Sequence, residues 1–348
     1  MHSIRICLLI PQSGAAGLWA PSAEACGRLA VEEINRISGI LRRPVELRIV
    51  NAGETGATAG WAARDAIEID GVDGIVGMLP SFARDFVARA ARGRVPFIYT
   101  PQFEGHSTPD VMATGETAEE LLIPAIQWLS VSRRARRYFL CGNDYIWPRS
   151  SLQIARALIA RFGGVVTGEC YLPVGQHDFD EMLDRIKATR SDVVLPYFLG
   201  GDCIAFNRAF YAAGLSSRVL RFSSAIDETV AYGLDVNETE NLYAASSYYA
   251  SIRSRNNGAF LERYHTAFGD SPPPVNAFGQ SCYEGIHSLA ALIEEAASLD
   301  ARELTRLYGR TFQQRTARGD QAQSVVGGRH PIYLAEVEGY DFSIIARR

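Results

Sequence analysis

The chain has 348 residues, a formal net charge of -4, and 47% hydrophobic and 21% charged residues. That length exceeds one compact core and predicts two domains, and the apolar share excludes a largely disordered chain. The slightly acidic balance excludes a nucleic-acid or membrane surface as the main partner, and no apolar run reaches the length of a membrane span.

Short apolar runs alternate with longer amphipathic ones. Residues 4–10 read as a strand, 22–37 as a helix stopped by Gly39, 45–50 as a strand and 57–69 as a helix. Residues 74–78 form a buried strand, 82–92 a helix, 96–100 a strand and 116–129 a helix. A second series follows: strand 138–141, helix 149–162, strand 165–172, helix 179–188, strand 192–196, helix 203–213, and strands 219–222 and 241–246. Helices at 257–268 and 276–297 are separated by Pro272-Pro273-Pro274, which no helix can cross. A helix at 301–308 comes next, and a β-hairpin over 331–337 and 340–346 turns at Glu338-Gly339.

Strands alternating with helices imply parallel sheets with right-handed crossovers. The fold class is therefore α/β, with two doubly wound parallel-sheet lobes joined by a multi-strand hinge. Lobe one is expected over 1–117 plus 252–322 and lobe two over 118–251 plus 323–348, the late helices completing the first and the hairpin the second. Ligands of open α/β sheets lie beyond the carboxyl ends of the strands, so the strand exits hold the candidate residues.

Ser81 falls at a helix start, where serine either caps the helix or offers its hydroxyl and the free N–H groups to an acceptor. Tyr99-Thr100-Pro101-Gln102-Phe103-Glu104-Gly105 is dense in aromatic and hydrogen-bonding groups; it reads as ligand-facing or as an aromatic plug with a solvated Glu104. Gly142-Asn143-Asp144-Tyr145-Ile146-Trp147-Pro148-Arg149 places two aromatic residues at one exit, with Asn143 or Asp144 as caps. Ser223-Ser224 and Ser247-Tyr248-Tyr249 follow later strands. The Gly-rich loop Gly200-Gly201-Asp202 lacks the spacing and the lysine of a phosphate loop.

Catalytic patterns fail their contexts. His2, His106, His177, His265, His287 and His330 have no metal-ligand spacing and read as surface or packing residues. Gly279-Gln280-Ser281-Cys282-Tyr283 lacks the second glycine of a nucleophile elbow and no strand precedes it. The six cysteines form no CxxC pair, and Cys7 and Cys141 sit in apolar runs as small hydrophobes. Arg133, Arg134, Arg136 and Arg137 read as a solvated helix-to-strand junction. No basic segment, long apolar region and small-residue cleavage site precede residues 4–10, so the expected location is cytoplasmic, or periplasmic if a signal has been removed.

Two motifs carry a family resemblance. The segment 142–149 is similar to Gly-Ser-Asp-Tyr-x-x-Pro-Arg, and 99–105 is similar to Tyr-Pro-x-x-Tyr-Glu-Gly, with Thr100 and Phe103 departing from it. The chain thus resembles the type I periplasmic-binding-protein fold, and within it the amide and urea receptors, including amide-sensing regulators of amidase expression. The resemblance implies ligand contacts at Ser81, Tyr99, Pro101 and Gln102 from lobe one, and at Tyr145, Ser223 and Ser224 from lobe two. The strand exits add Glu104 and Tyr248. The expected function is a non-enzymatic sensor that closes on a short amide or urea, with Ser81 donating to the carbonyl and Glu104 or Gln102 accepting from nitrogen. It needs no cofactor or metal, does not bind nucleic acid directly, and acts through a regulatory protein partner, with a homodimer allowed. The alternative is the solute-binding component of an ABC importer for amides, urea or branched-chain amino acids, with a membrane permease as partner.

Overall fold

The computed structural model describes residues 2–105, 108–310, 313–318, 323–325 and 330–348; His106 and Gly319 lie outside them. Contacts divide the chain into two compact units. One comprises Met1–Gly115 and Arg253–His330, the other Glu116–Ile252 and Pro331–Arg348, so the chain passes between them three times.

The first unit opens with β1 (Ile4–Ile10), α1 (Ala20–Ile37), β2 (Val45–Asn51), α2 (Gly56–Glu68), β3 (Gly74–Gly77), α3 (Ser81–Ala91), β4 (Phe97–Tyr99) and β5 (Val111–Ala113). The strands form a sheet in the order β2-β1-β3-β4-β5, parallel throughout. Helices on the crossovers bury both faces, which is why β1 is a nearly unbroken apolar run with Ile4, Ile6 and Leu8 fully buried. α1 stops where Gly39 takes φ +73°; a Cβ there would fall 1.8 Å from the Arg43 carbonyl oxygen, so only glycine fits. Cys7 packs inside β1, and burial pushes its thiol up to about 12.

The second unit contains α4 (Ala118–Ser132), β6 (Arg137–Asn143), α5 (Ile146–Arg161), β7 (Val165–Leu172), α6 (Asp180–Thr189), β8 (Val193–Tyr197), α7 (Gly200–Ala212), β9 (Leu220–Ser223), α8 (Glu228–Tyr232) and β10 (Leu242–Ser246). The chain then returns to the first unit as α9 (Arg255–Phe268), α10 (Ala277–Ala296), α11 (Ala301–Thr305) and the strands β11 (Gln313–Arg315) and β12 (Gln323–Val325). It ends in the second unit as β13 (Tyr333–Glu338) and β14 (Asp341–Arg347). The second sheet runs β7-β6-β8-β9-β10-β13-β14, with the final hairpin antiparallel. Its first five members repeat the winding of the first sheet: second, first, third, fourth, fifth.

The late helices belong to the first unit. Asn276 caps α10 through the Gly279 N–H, 2.8 Å away, and α10 then lies on the sheet. Gly285 permits this approach, since a Cβ there would meet Thr100 Cγ2 at 2.5 Å and Val76 Cγ1 at 2.8 Å. Glu33 of α1 ties in both returning helices by accepting from Arg263 Nε at 2.6 Å and the Tyr283 hydroxyl at 2.7 Å. Burial raises the Glu33 pKa, but hydrogen bonds from His287, Tyr283 and Arg263 outweigh it and bring the carboxyl down to about 2.

The pattern reading passed over β5, α8, β11 and β12, which have three to five residues each and show no period. The arginine cluster is more than a solvated junction. Arg133 donates to the Tyr243 hydroxyl and lies over the Trp128 ring, while Arg137 donates to the carbonyls of Arg190 and Thr189. These contacts fasten the start of β6 to its neighbours.

Candidate functional site

In a sheet wound in this order the strand sequence reverses between its second and third members, and the crevice beyond that reversal is where ligands bind. The reversal falls between β1 and β3 in the first unit and between β6 and β8 in the second.

In the first unit the exits of β3 and β4 meet. Ser81 is the first residue of α3, behind Pro80, which supplies no side-chain cap. Its hydroxyl donates to Glu104 Oε2 at 2.9 Å. The other carboxylate oxygen of Glu104 accepts from Arg84, one turn along α3, and both members of this ion pair are buried. Tyr99, at the end of β4, donates to the Leu79 carbonyl at 2.8 Å, and its hydroxyl lies 3.4 Å from that of Ser81. Burial pushes the Tyr99 hydroxyl well above its ordinary pKa, so it stays protonated. The Arg84 guanidinium stands 5.4 Å from the centre of the Tyr99 ring. Pro101 is buried and Gln102 half-buried. Gly115 packs directly on Pro101, whose carbonyl oxygen would be 2.0 Å from a Cβ there.

In the second unit the exits of β6, β7 and β8 are drawn together by one buried carboxylate. Asp202, in the first turn of α7, accepts from Asn143 Nδ2 at 2.8 Å and from the Gly175 N–H at 2.8 Å, and His177 Nε2 lies 3.0 Å away. Asn143 in turn accepts from the Leu199 N–H at 2.7 Å. Beside this clamp Tyr145, Trp147 and Tyr197 stand in a tilted series, with ring centres 6.3 Å and 5.0 Å apart. Tyr145 is half-buried at the N-cap of α5. Ser223 ends β9 and accepts from the Ala225 N–H at 3.2 Å, Ser224 follows it in the buried loop, and Tyr248 is buried after β10.

Glu228 opens α8, buried beside Asp227, and accepts from the Ala250 N–H at 2.6 Å. Burial, reinforced by the Asp227 charge, pushes its carboxyl up to about 8.

The candidates therefore fall into two groups. Ser81, Tyr99 and Glu104 touch one another, and Tyr145 belongs to an aromatic series of the second unit. Ser223 ends β9, and Tyr248 follows the adjacent strand β10. Sequence reasoning missed Arg84, Asp202 as a clamp, Tyr197 and Glu228. Arg84 carried a signal, since its spacing from Ser81 puts both on one face of α3. His177 is not merely a surface residue but a partner of Asp202, and His287 and His330 lie 3.6 Å and 3.9 Å from the carboxylates of Glu33 and Glu284. Among the described residues no three His, Cys, Asp or Glu side chains gather as metal ligands, and no helix is long and apolar enough to cross a membrane.

A family model described as periplasmic binding protein matches residues 3–341. Among solved structures, the chain is similar to a branched-chain amino acid transporter substrate-binding protein of Streptococcus pneumoniae in complex with isoleucine. The TM-score is 0.85 and the identity 16%, over 100% of this chain and 99% of that one. A solute-binding protein of an ABC transporter from R. palustris, in complex with 4-hydroxybenzoate, gives 0.86 and 18% over 100% and 97%. A leucine-binding protein of Thermotoga maritima gives 0.84 and 17% over 99% and 98%. At these identities the structures establish the fold, two α/β units of the periplasmic-binding-protein type. The comparisons also overturn the expected cytoplasmic location, because the matching family is periplasmic and the solved relatives include solute-binding proteins of ABC transporters. The absence of a signal pattern ahead of residues 4–10 was a poor guide, since a leader is not part of the fold.

Proposed function

We propose, from the premise that the chain belongs to the periplasmic binding protein family, that it is the solute-binding component of an ABC importer. In this reading it works in the periplasm, binds its solute without transforming it, and hands it to a membrane permease. The observation that carries the reading is the family match, which spans residues 3–341 and so takes in both units. Importer relatives fit it better than regulators of enzyme expression do, because two of the solved relatives quoted above are transporter components.

The solute is small and polar: an amide, urea or an amino acid. Polar hydroxyls stand at the β3 and β4 exits of the first unit and aromatic rings at the β6 and β8 exits of the second, and both kinds of group suit a small polar solute. Resemblance of 142–149 and 99–105 to the amide and urea receptors supports the amide and urea members of this set.

A thermal-shift panel tests the reading. Ligand that binds only the native state adds RT ln(1 + [L]/Kd), about 2.7 kcal/mol at a hundredfold excess over Kd. We expect at least one of the short amides, urea, branched-chain amino acids and benzoates to raise the melting temperature at millimolar concentration. A flat response across the whole panel would remove the small-solute assignment.

A further inference from the structure

The hydrogen bonds around Ser81 have a direction. The Glu104 carboxylate accepts from Arg84 through one oxygen and from Ser81 through the other, so the Ser81 proton points at Glu104. The Tyr99 proton points at the Leu79 carbonyl. Each hydroxyl has a single proton, and both protons are committed inward. What these oxygens still offer is lone pairs. All three residues are buried, and of the two hydroxyls the one on Ser81 belongs to the less buried residue, 6% exposed against 1% for Tyr99.

We infer that Glu104, fixed by Arg84, is a positioning residue that makes Ser81 a hydrogen-bond acceptor, so the solute presents an N–H donor to this exit and not a carboxylate. This rests on the solute-receptor reading and reverses the role first expected for Ser81, which was to donate to a carbonyl. A carboxylate placed here would set lone pair against lone pair on Ser81, with the Glu104 charge directly behind it. A group with both an N–H and a carbonyl suits the exit better: its nitrogen donates to Ser81, and its oxygen can turn away from the Glu104 charge.

The test uses the intact chain and pairs of probes that differ only in the head group: isovaleramide against isovalerate, and 4-hydroxybenzamide against 4-hydroxybenzoate. Titration calorimetry at neutral pH should give at least tenfold tighter binding for the amide of a pair. An acid that binds as tightly as its amide overturns the assigned polarity and leaves the receptor reading standing. No binding by either member of either pair, with a flat thermal-shift panel as well, overturns both. Ser81→Ala should cost the amide about tenfold and leave the acid unchanged, while Ser81→Thr, which keeps the hydroxyl, should restore the amide; equal losses for both head groups would assign Ser81 a structural role. In Glu104→Gln the new amide donates to Ser81 and frees its proton to turn outward, so the amide-to-acid ratio should shrink about tenfold. An unchanged ratio in the folded variant removes Glu104 from the assignment, and if that variant does not fold, the Ser81 pair decides.

Discussion

In the first unit the exits of β3 and β4 are held by a buried ion pair, Arg84 with Glu104, whose free valence fixes a serine hydroxyl. In the second, where the winding is the same, the exits of β6, β7 and β8 are held by a buried carboxylate with no arginine paired to it among the described residues. An amide, a backbone N–H and a half-exposed histidine surround Asp202 instead. The two solutions leave different surfaces behind: oriented oxygen atoms in one unit, and the rings of Tyr145, Trp147 and Tyr197 in the other. Identical topology therefore fixes where a site lies but not its chemistry, which a few buried side chains decide.

The comparison can be broken most forcefully at Arg84. Arg84→Ala strands the Glu104 carboxylate in a buried setting, and removing one partner of such a pair costs about 3–5 kcal/mol. Urea unfolding should show that loss, and a loss below about 1 kcal/mol would mean that the pair does not organise the exit.

Glu228 gives a pH test in the second unit. Its folded pKa, about 8, lies above the ordinary carboxyl value, so the native chain keeps a proton that the unfolded chain has released. The stabilisation is complete below the unfolded pKa and is lost as pH rises through the folded one. The slope is about 1.4 kcal/mol per pH unit, so the contribution falls by at most about 4 kcal/mol between pH 5 and 8. Glu228→Gln, which mimics the protonated form, should flatten this part of the curve, and melting profiles of the two proteins that stay parallel would refute the assignment.

Asn143→Ala is the milder counterpart of the Arg84 change. It removes one donor from Asp202 and the acceptor of the Leu199 N–H, but Asp202 keeps the Gly175 N–H and His177. The expected cost is about 1–3 kcal/mol by chemical denaturation. A cost equal to that of Arg84→Ala would erase the distinction between a closure built on an arginine and one built on amide and backbone donors.

Much of the architecture was legible because its signals are long. The strand and helix series of 4–129 and 138–246 follow periods that survive averaging, and the proline triplet separates α9 from α10. The same logic hid β5 and α8, too short to show a period. At the site, Ser81, Tyr99 and Glu104 could be nominated from their place after strands. Their mutual contacts could not, because side chains 18 and 23 residues apart in sequence meet only once β3 and β4 pair. Glu228 was missed because an acid at a helix start is ordinarily a solvated favourable charge; its perturbation comes from burial, which the sequence does not display.

The lid that α10 places on the first sheet also sets a timetable. Val76 and Ile98 belong to a sheet whose strands are complete by Ala113, and Thr100 directly follows β4, yet Gly285 and Leu289, which cover Val76, Thr100 and Gly74, come more than 170 residues later. A growing chain must therefore make the whole β6–β10 series while α1 covers the β1–β2 part of this face and the β3–β4 part still waits for α10. Such long-range closure is slow and leaves the uncovered face open to aggregation, so the first part of the chain to be synthesised cannot finish folding until α10 has been made.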